Sequence, residues 1–412
     1  MIRKICDDGV GYSVVGLNDV RHVFAAAVPR RGDTLHEQAE DALKTIESVI
    51  KEEGTVGSIV HQAVFLADIS QMDECRRIMR DFYGDDLPAT TYIPQKPCEG
   101  KLLAIEALGV GRRKGDVAIR RISEQLVMAE HNGIAWVHCA NVRPQIDSPE
   151  VYDRSLDAFA RMRDLLASVD VRFDQVIRTW LYLGGIVEGE GDKQRYKELN
   201  RARTDFFQGI RFMADRLVKK DIGCVYPAST GIGADDREIA MSCIALVTDR
   251  PDIVAMPLEN PRQTAAFDYG ACYSPKSPKF SRAVALSCGN YATILISGTA
   301  SITNSETQHV GDVEAQTHET LDNIAALIGE PNLARHGLPQ LGTTLENLAL
   351  VRVYVKRQED FEKTRAVCQA RLGDVPTIYA IADVCRDDLL VEIEGMAFSQ
   401  RGGAPCGDGH GC

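Results

Sequence analysis

Apolar and polar positions follow one order along this chain, and that order comes round three times. In the last third, the apolar run Thr293-Ile294-Leu295-Ile296-Ser297-Gly298 predicts a buried strand. Beyond Gly311-Asp312, the positions Ala315, Leu321, Ile324, Ala325 and Leu327 cluster on one side of a predicted helix from Val313 to Ile328, as in a helix laid on a sheet. Rough alternation predicts a strand over Leu348–Val355, and a second helix is expected from about Glu359 to Leu372, closed by Gly373. The segment Val375-Pro376-Thr377-Ile378-Tyr379 and a predicted strand from Leu389 to Ala397 complete the series.

The first third repeats it, with a predicted strand from His22 to Val28, helix from Leu35 to Lys51, strand from Val60 to Ala67 and helix from Met72 to Phe82. Pro88 and a strand from Leu102 to Leu108 follow. Pro88 precedes Glu106 by 18 positions, and Pro376 precedes Glu394 by 18. The middle offers strand 134–140, helix 151–166, strand 176–183, helix 196–207, then Tyr226-Pro227 and strand 239–247. The pattern predicts three tandem α+β units, residues 1–115, 120–250 and 258–400, each a sheet with two helices on one face. The free faces can pack together, so the expected assembly is a pseudo-trimer with ligand clefts between units, either a monomer or part of a homo-oligomer. Residues 401–412, rich in glycine and carrying Cys406, His410 and Cys412, read as a flexible tail open to a protein partner.

Composition narrows the partners. A net charge of −12 disfavours nucleic acid, and the short basic stretch Arg112-Arg113-Lys114 reads as linker. The longest apolar runs fall short of a bilayer span, so no membrane association is expected. The first residues turn acidic at Asp7 and Asp8, unlike a signal peptide. Twelve cysteines scattered singly, several in apolar runs, fit reduced thiols and a cytoplasmic location. His309 and His318 lie apart from any converging ligand set, and no glycine-rich phosphate loop occurs, so neither a metal nor a cofactor is expected.

Four blocks of the third segment, Ile296-Ser297-Gly298, Gly311-Asp312 with Ala315 to Ile324, Pro376, and Val391-Glu392-Ile393-Glu394-Gly395, resemble the Rid (YjgF) superfamily. The resemblance implies chorismate-mutase-like units and imine deaminase chemistry. A closer resemblance over about residues 125–400 is to the chorismatases, tandem-repeat relatives that release pyruvate from chorismate. It rests on Tyr226-Pro227-Ala228-Ser229-Thr230-Gly231, Phe280-Ser281-Arg282-Ala283, Ser297-Gly298-Thr299-Ala300, and Ala382-Asp383-Val384-Cys385-Arg386. Rid deaminases carry a carboxylate-binding arginine two positions after the motif proline. Here those positions hold Thr90, Ser229 and Ile378, so the usual deamination is not expected.

What the resemblance implies is therefore a hydrolase or lyase acting on chorismate or a related cyclic enol-ether carboxylate, with two alternatives: a Rid-type imine or enamine deaminase of altered specificity, or a non-catalytic binding protein. Glu392 matches the glutamate that positions water in Rid deaminases and acts as an acid in chorismatases. The corresponding positions in the other units are Ala104 and Met241. Glu392 and Glu394 share a strand face, and a like-charged neighbour raises a carboxyl pKa toward neutrality. Arg282 and Arg386 are the candidate clamps for substrate carboxylates, and Tyr379, Ser297, Gly298, Thr299, Ala300 and Cys385 are candidate ligand contacts.

Overall fold

The structure, a computed structural model, describes residues 2–7, 9–17, 20–53, 59–111, 117–191, 193–218, 223–270 and 276–402. The basic stretch at 112–114 and the cysteines and histidine of the glycine-rich end lie outside them.

Three six-stranded sheets carry the same plan. Sheet 1 is built from Ile2–Asp7, Val10–Leu17, Val20–Ala27, Ile59–Leu66, Ala89–Ile93 and Leu103–Gly111. Sheet 2 uses Ala118–Ser123, Leu126–His131, Ile134–Val142, Val176–Gly184, Ala228–Ala234 and Ile239–Val247. Sheet 3 uses Ile253–Leu258, Ala283–Cys288, Tyr291–Ala300, Leu348–Val355, Thr377–Ile381 and Val391–Gln400. In chain order the strands of every sheet lie first-second-third-sixth-fourth-fifth. The fourth and fifth pair parallel. A parallel pair needs a crossover, and a helix supplies it each time: Met72–Tyr83, Arg195–Phe206 or Phe361–Leu372. The longer helices Leu35–Glu52, Val151–Ala167 and Val313–Ile328 join third strand to fourth.

Local chemistry sets these elements. Helix Leu35–Glu52 begins at a Thr34 capping box closed by Glu37 and buries Leu35, Ala39, Leu43, Ile46 and Ile50 along one stripe. Asp312 caps helix Val313–Ile328 by accepting from the Ala315 N–H at 3.0 Å. The outer hairpins, the first two strands of each sheet, carry weak sequence signals. Ala118–Ser123 is mostly exposed and reads as polar, while Val10–Leu17 is buried at most positions and so loses its alternation. The short helix Glu330–Arg335 is likewise absent from the sequence pattern, and the final strand runs on to Gln400 because Phe398 pairs with Thr293.

Each sheet touches both others. The fifth strand of sheet 1 meets the third of sheet 2, the fifth of sheet 2 meets the third of sheet 3, and the fifth of sheet 3 meets the third of sheet 1. At their meeting point lies a buried ion network. Arg352 of sheet 3 forks onto Glu106 of sheet 1 with two bonds of 2.6 Å, takes Tyr182 of sheet 2 at 2.8 Å, and lies 3.1 Å from Glu394. Arg178 of sheet 2 also bonds Glu394. Among the described residues no helix is long and apolar enough to cross a membrane. Glu106→Ala, which leaves the buried Arg352 and Arg178 only Glu394 to share, is expected to cost about 3–5 kcal/mol; the urea unfolding midpoint of the variant checks this.

Candidate functional site

Sheet 3 and the helix side of sheet 2 enclose a cleft of about 310 Å³. Its floor comes from the third and sixth strands of sheet 3. A β-bulge interrupts their pairing between Ile296 and Thr299, which brings Gly298 and Ala300 to the cleft, opposite Glu392. Gly298 is a close-approach glycine: a Cβ there would sit 2.0 Å from Glu392 Oε1 and 3.1 Å from Thr230 Cγ2.

The structure gathers most of the residues singled out in the sequence. Glu392, Arg282, Arg386, Cys385, Gly298 and Ala300 all line the cleft. Arg282 is buried and donates to the Thr264 carbonyl at 2.9 Å and to Tyr269 Oη at 2.7 Å, while its Nε has no protein partner. Arg386 donates to the Ser305 carbonyl at 2.9 Å. Both guanidinium groups approach the Tyr269 ring, their carbons standing 5.6 and 5.5 Å from its centre.

Three expected contacts fall elsewhere. Ser297 is fully buried, donating to the Ser281 carbonyl at 2.6 Å and accepting the Ser229 N–H at 2.8 Å, so it ties sheet 2 to sheet 3 beneath the cleft. Thr299 turns its hydroxyl back onto the Ser297 carbonyl at 2.9 Å. Tyr379 faces the helix layer, with its ring 5.4 Å from Phe361. Side chains alternate along its strand, so Ile378 and Ala380 take the face packed against the other sheets and Tyr379 the face toward the helices of its own unit.

The sequence reading missed the opposite wall. Helix Arg195–Phe206 contributes Tyr196, Asn200 and Arg203, and the loop before Ala283 contributes Tyr269 and Phe280. Arg203 is fully buried, held by Asn200 Oδ1 at 2.5 Å and by Ser229 Oγ at 3.4 Å, with its guanidinium carbon 5.5 Å from the Phe280 ring and its Nε without a protein partner. A detectable signal existed. Residues 196, 199, 200 and 203 share one face of this helix, so an arginine and an asparagine stand where a packed helix normally buries only apolar groups.

Electrostatics divide the cleft. Burial, and then the neighbouring Glu394, push the Glu392 carboxyl up to about 8, so it carries a proton at neutral pH. Burial pushes the Cys385 thiol up to about 12, which leaves it an uncharged wall. Arg203, Arg282 and Arg386 line the same cleft as this protonated acid. The arrangement suits a small molecule bearing carboxylates, one part of which receives a proton.

The family model described as "Chorismatase FkbO/Hyg5-like, N-terminal" matches residues 112–245, and "Endoribonuclease L-PSP" matches residues 24–107. A 3-hydroxybenzoate synthase of Streptomyces hygroscopicus is 33% identical over 281 residues, which is 65% of this chain and 77% of the relative. A chorismatase of the same organism is 34% identical over 275 residues, covering 64% of this chain and 74% of the relative. A crystal structure of a chorismatase superposes with a TM-score of 0.62 at 25% identity, covering 83% of this chain and 93% of the other.

Gly298→Ala is expected to destabilise the protein by about 1–3 kcal/mol through overpacking and to drive the Glu392 carboxyl out of its present position. Chemical denaturation tests the first effect and a crystal structure of the variant the second.

Proposed function

This chain belongs to the chorismatase family, and from that premise we propose that it releases pyruvate from chorismate or a closely related cyclic enol-ether dicarboxylate in the cleft between sheets 2 and 3. The observation that carries the proposal is a buried carboxyl, Glu392, facing the same 310 Å³ cleft as three arginines.

Enol ethers are cleaved once their terminal carbon is protonated, because the resulting cation is stabilised by the ether oxygen. Glu392 supplies that proton. Water then adds to the cationic carbon and returns a proton to the Glu392 carboxylate, and the hemiketal collapses to pyruvate and the ring alcohol. Atoms balance with one water consumed. Arg203 and Arg282, each with a buried Nε lacking a protein partner, are the carboxylate clamps, and Arg386 joins them at the rim. A carboxylate held by paired guanidinium N–H groups fixes the substrate as well as attracting it. Cys385 and Ala300 are uncharged walls beside Glu392 and shape the space available to the ring.

The same reading takes residues 1–115, 120–250 and 258–400 as the three units of a pseudo-trimer, supported by the shared strand order and by the way each sheet touches both others. Catalysis then belongs to one interface of three, since the positions corresponding to Glu392 are Ala104 and Met241.

Purified protein mixed with chorismate should release pyruvate, followed by a coupled lactate dehydrogenase assay. Glu392→Gln should lower kcat by about 10²–10⁴-fold, the usual contribution of a positioned acid; undiminished turnover in that variant would sink the assignment. The direction of the Glu392 shift gives a second expectation. Its proton is present at neutral pH and lost as pH rises through about 8, so kcat/KM should fall on that alkaline side and not between pH 5 and 7.

A further inference from the structure

Glu392 and Glu394 project from the same face of the final strand, and their surroundings treat them in opposite ways. Glu394 accepts from Trp180 Nε1 at 2.9 Å and from Tyr354 Oη at 3.0 Å, lies 3.1 Å from Arg352 Nη1, and is bonded by Arg178 and Thr230. Thr230 Oγ1 accepts the Gly298 N–H at 3.0 Å, so the hydroxyl's one proton is directed at Glu394. A carboxyl accepting from this many donors is a carboxylate. Glu392, in contrast, opens onto the cleft.

Charge counting reinforces the contrast. The two arginines of the network, Arg178 and Arg352, are matched by Glu394 and Glu106. A second negative charge at Glu392 would have to be balanced from the cleft alone. The groups facing Glu392 are Glu394 on its own strand, Tyr354 across from it on the fourth strand of sheet 3, Arg178 from sheet 2, Tyr196, Lys197 and Arg203 from helix Arg195–Phe206, Arg282 and Tyr269 from the loop ahead of Ala283, and Cys385, Arg386 and Asp387.

We infer that Glu394 is a positioning residue for Glu392: pinned as a carboxylate by Arg178 and Thr230 of the neighbouring sheet, it keeps the transferable proton on Glu392 at neutral pH. The inference rests on Glu392 being the proton donor of the proposed reaction. The separate directions agree with it. Burial alone would raise Glu394, but Arg178, Arg352, Thr230 and Trp180 hold it below its ordinary value. At Glu392, Glu394 adds to burial and exceeds the opposing effect of Arg178 or of Arg282 taken singly.

The test is a pH titration of the protonated-carboxyl infrared band, with Glu392→Gln as the subtraction blank, alongside the pH profile of kcat/KM. The wild-type protein should show a Glu392 band at pH 7. In Glu394→Gln, which removes the charge and keeps the shape, its midpoint and the alkaline limb of kcat/KM should both fall by at least about one pH unit, and Glu394→Asp should restore them. An unchanged midpoint in folded Glu394→Gln overturns the inference. If that variant does not fold, the wild-type spectrum with the charge-conserving Glu394→Asp as subtraction blank must show Glu394 as a carboxylate at pH 7, and a protonated Glu394 there overturns the inference. A band that moves as expected without pyruvate release upholds the coupling and rejects the reaction. Glu392-dependent release with no protonated band at pH 7 does the reverse.

Discussion

Four charged side chains sit out of water where the three sheets meet, and each is tolerable there only because the others are present. Arg352 needs Glu106 from sheet 1, and Glu394 needs Arg178 from sheet 2. Buried ion pairs of this kind add little net stability over well-packed apolar groups, because desolvation consumes most of the Coulombic gain. Their effect is on specificity: the sheets must adopt the one relative placement that completes every pair, with Tyr182, Tyr354 and Trp180 supplying the remaining bonds. Apolar contact alone would let the same surfaces slide.

That placement decides what the cleft can do. Sheet 2 delivers Thr230 to the bulge at Gly298 and Ser229 to Ser297, so the strand paired with that of Glu392 is fixed from below, and Thr230 also bonds Glu394 on the Glu392 strand itself. The same contacts bring helix Arg195–Phe206 across from the acid. Neither sheet holds the site alone. The carboxyl comes from one and Arg203 from the other, and the hydrogen bonds that hold them also set the cleft's width.

Much of this was written legibly in the chain. The repeating order of strand, helix, strand, helix, strand survives because helix periodicity and strand runs are local signals, and the sixth strand of sheet 2 and helix Val313–Ile328 fall at the very residues the pattern marks. The outer hairpins were not legible, since their burial depends on neighbouring sheets that a local window does not see. In the cleft, Glu392, Arg282 and Arg386 stood in recognisable blocks. Tyr379 was misread because strand parity, not proximity in sequence, decides which face a side chain takes. Arg203 was passed over because an arginine on a helix ordinarily reaches solvent, and only the packing of that helix against Phe280 and Ser229 turns it inward.

The head-to-tail contact of fifth strand with third, made three times between sheets joined in one chain, has an evolutionary reading. In an assembly of identical subunits every substitution is imposed on all the interfaces at once, so a change that improves one cleft must be survivable in each. Covalent linkage of three sheets that share a strand order but differ in sequence lifts that symmetry. Ala104 and Met241 can be chosen for packing while Glu392 is chosen for acidity, and Ser297 can bridge one seam without an equivalent being required at the others. On the proposed reading, two seams are released from catalysis and the third alone is shaped for it.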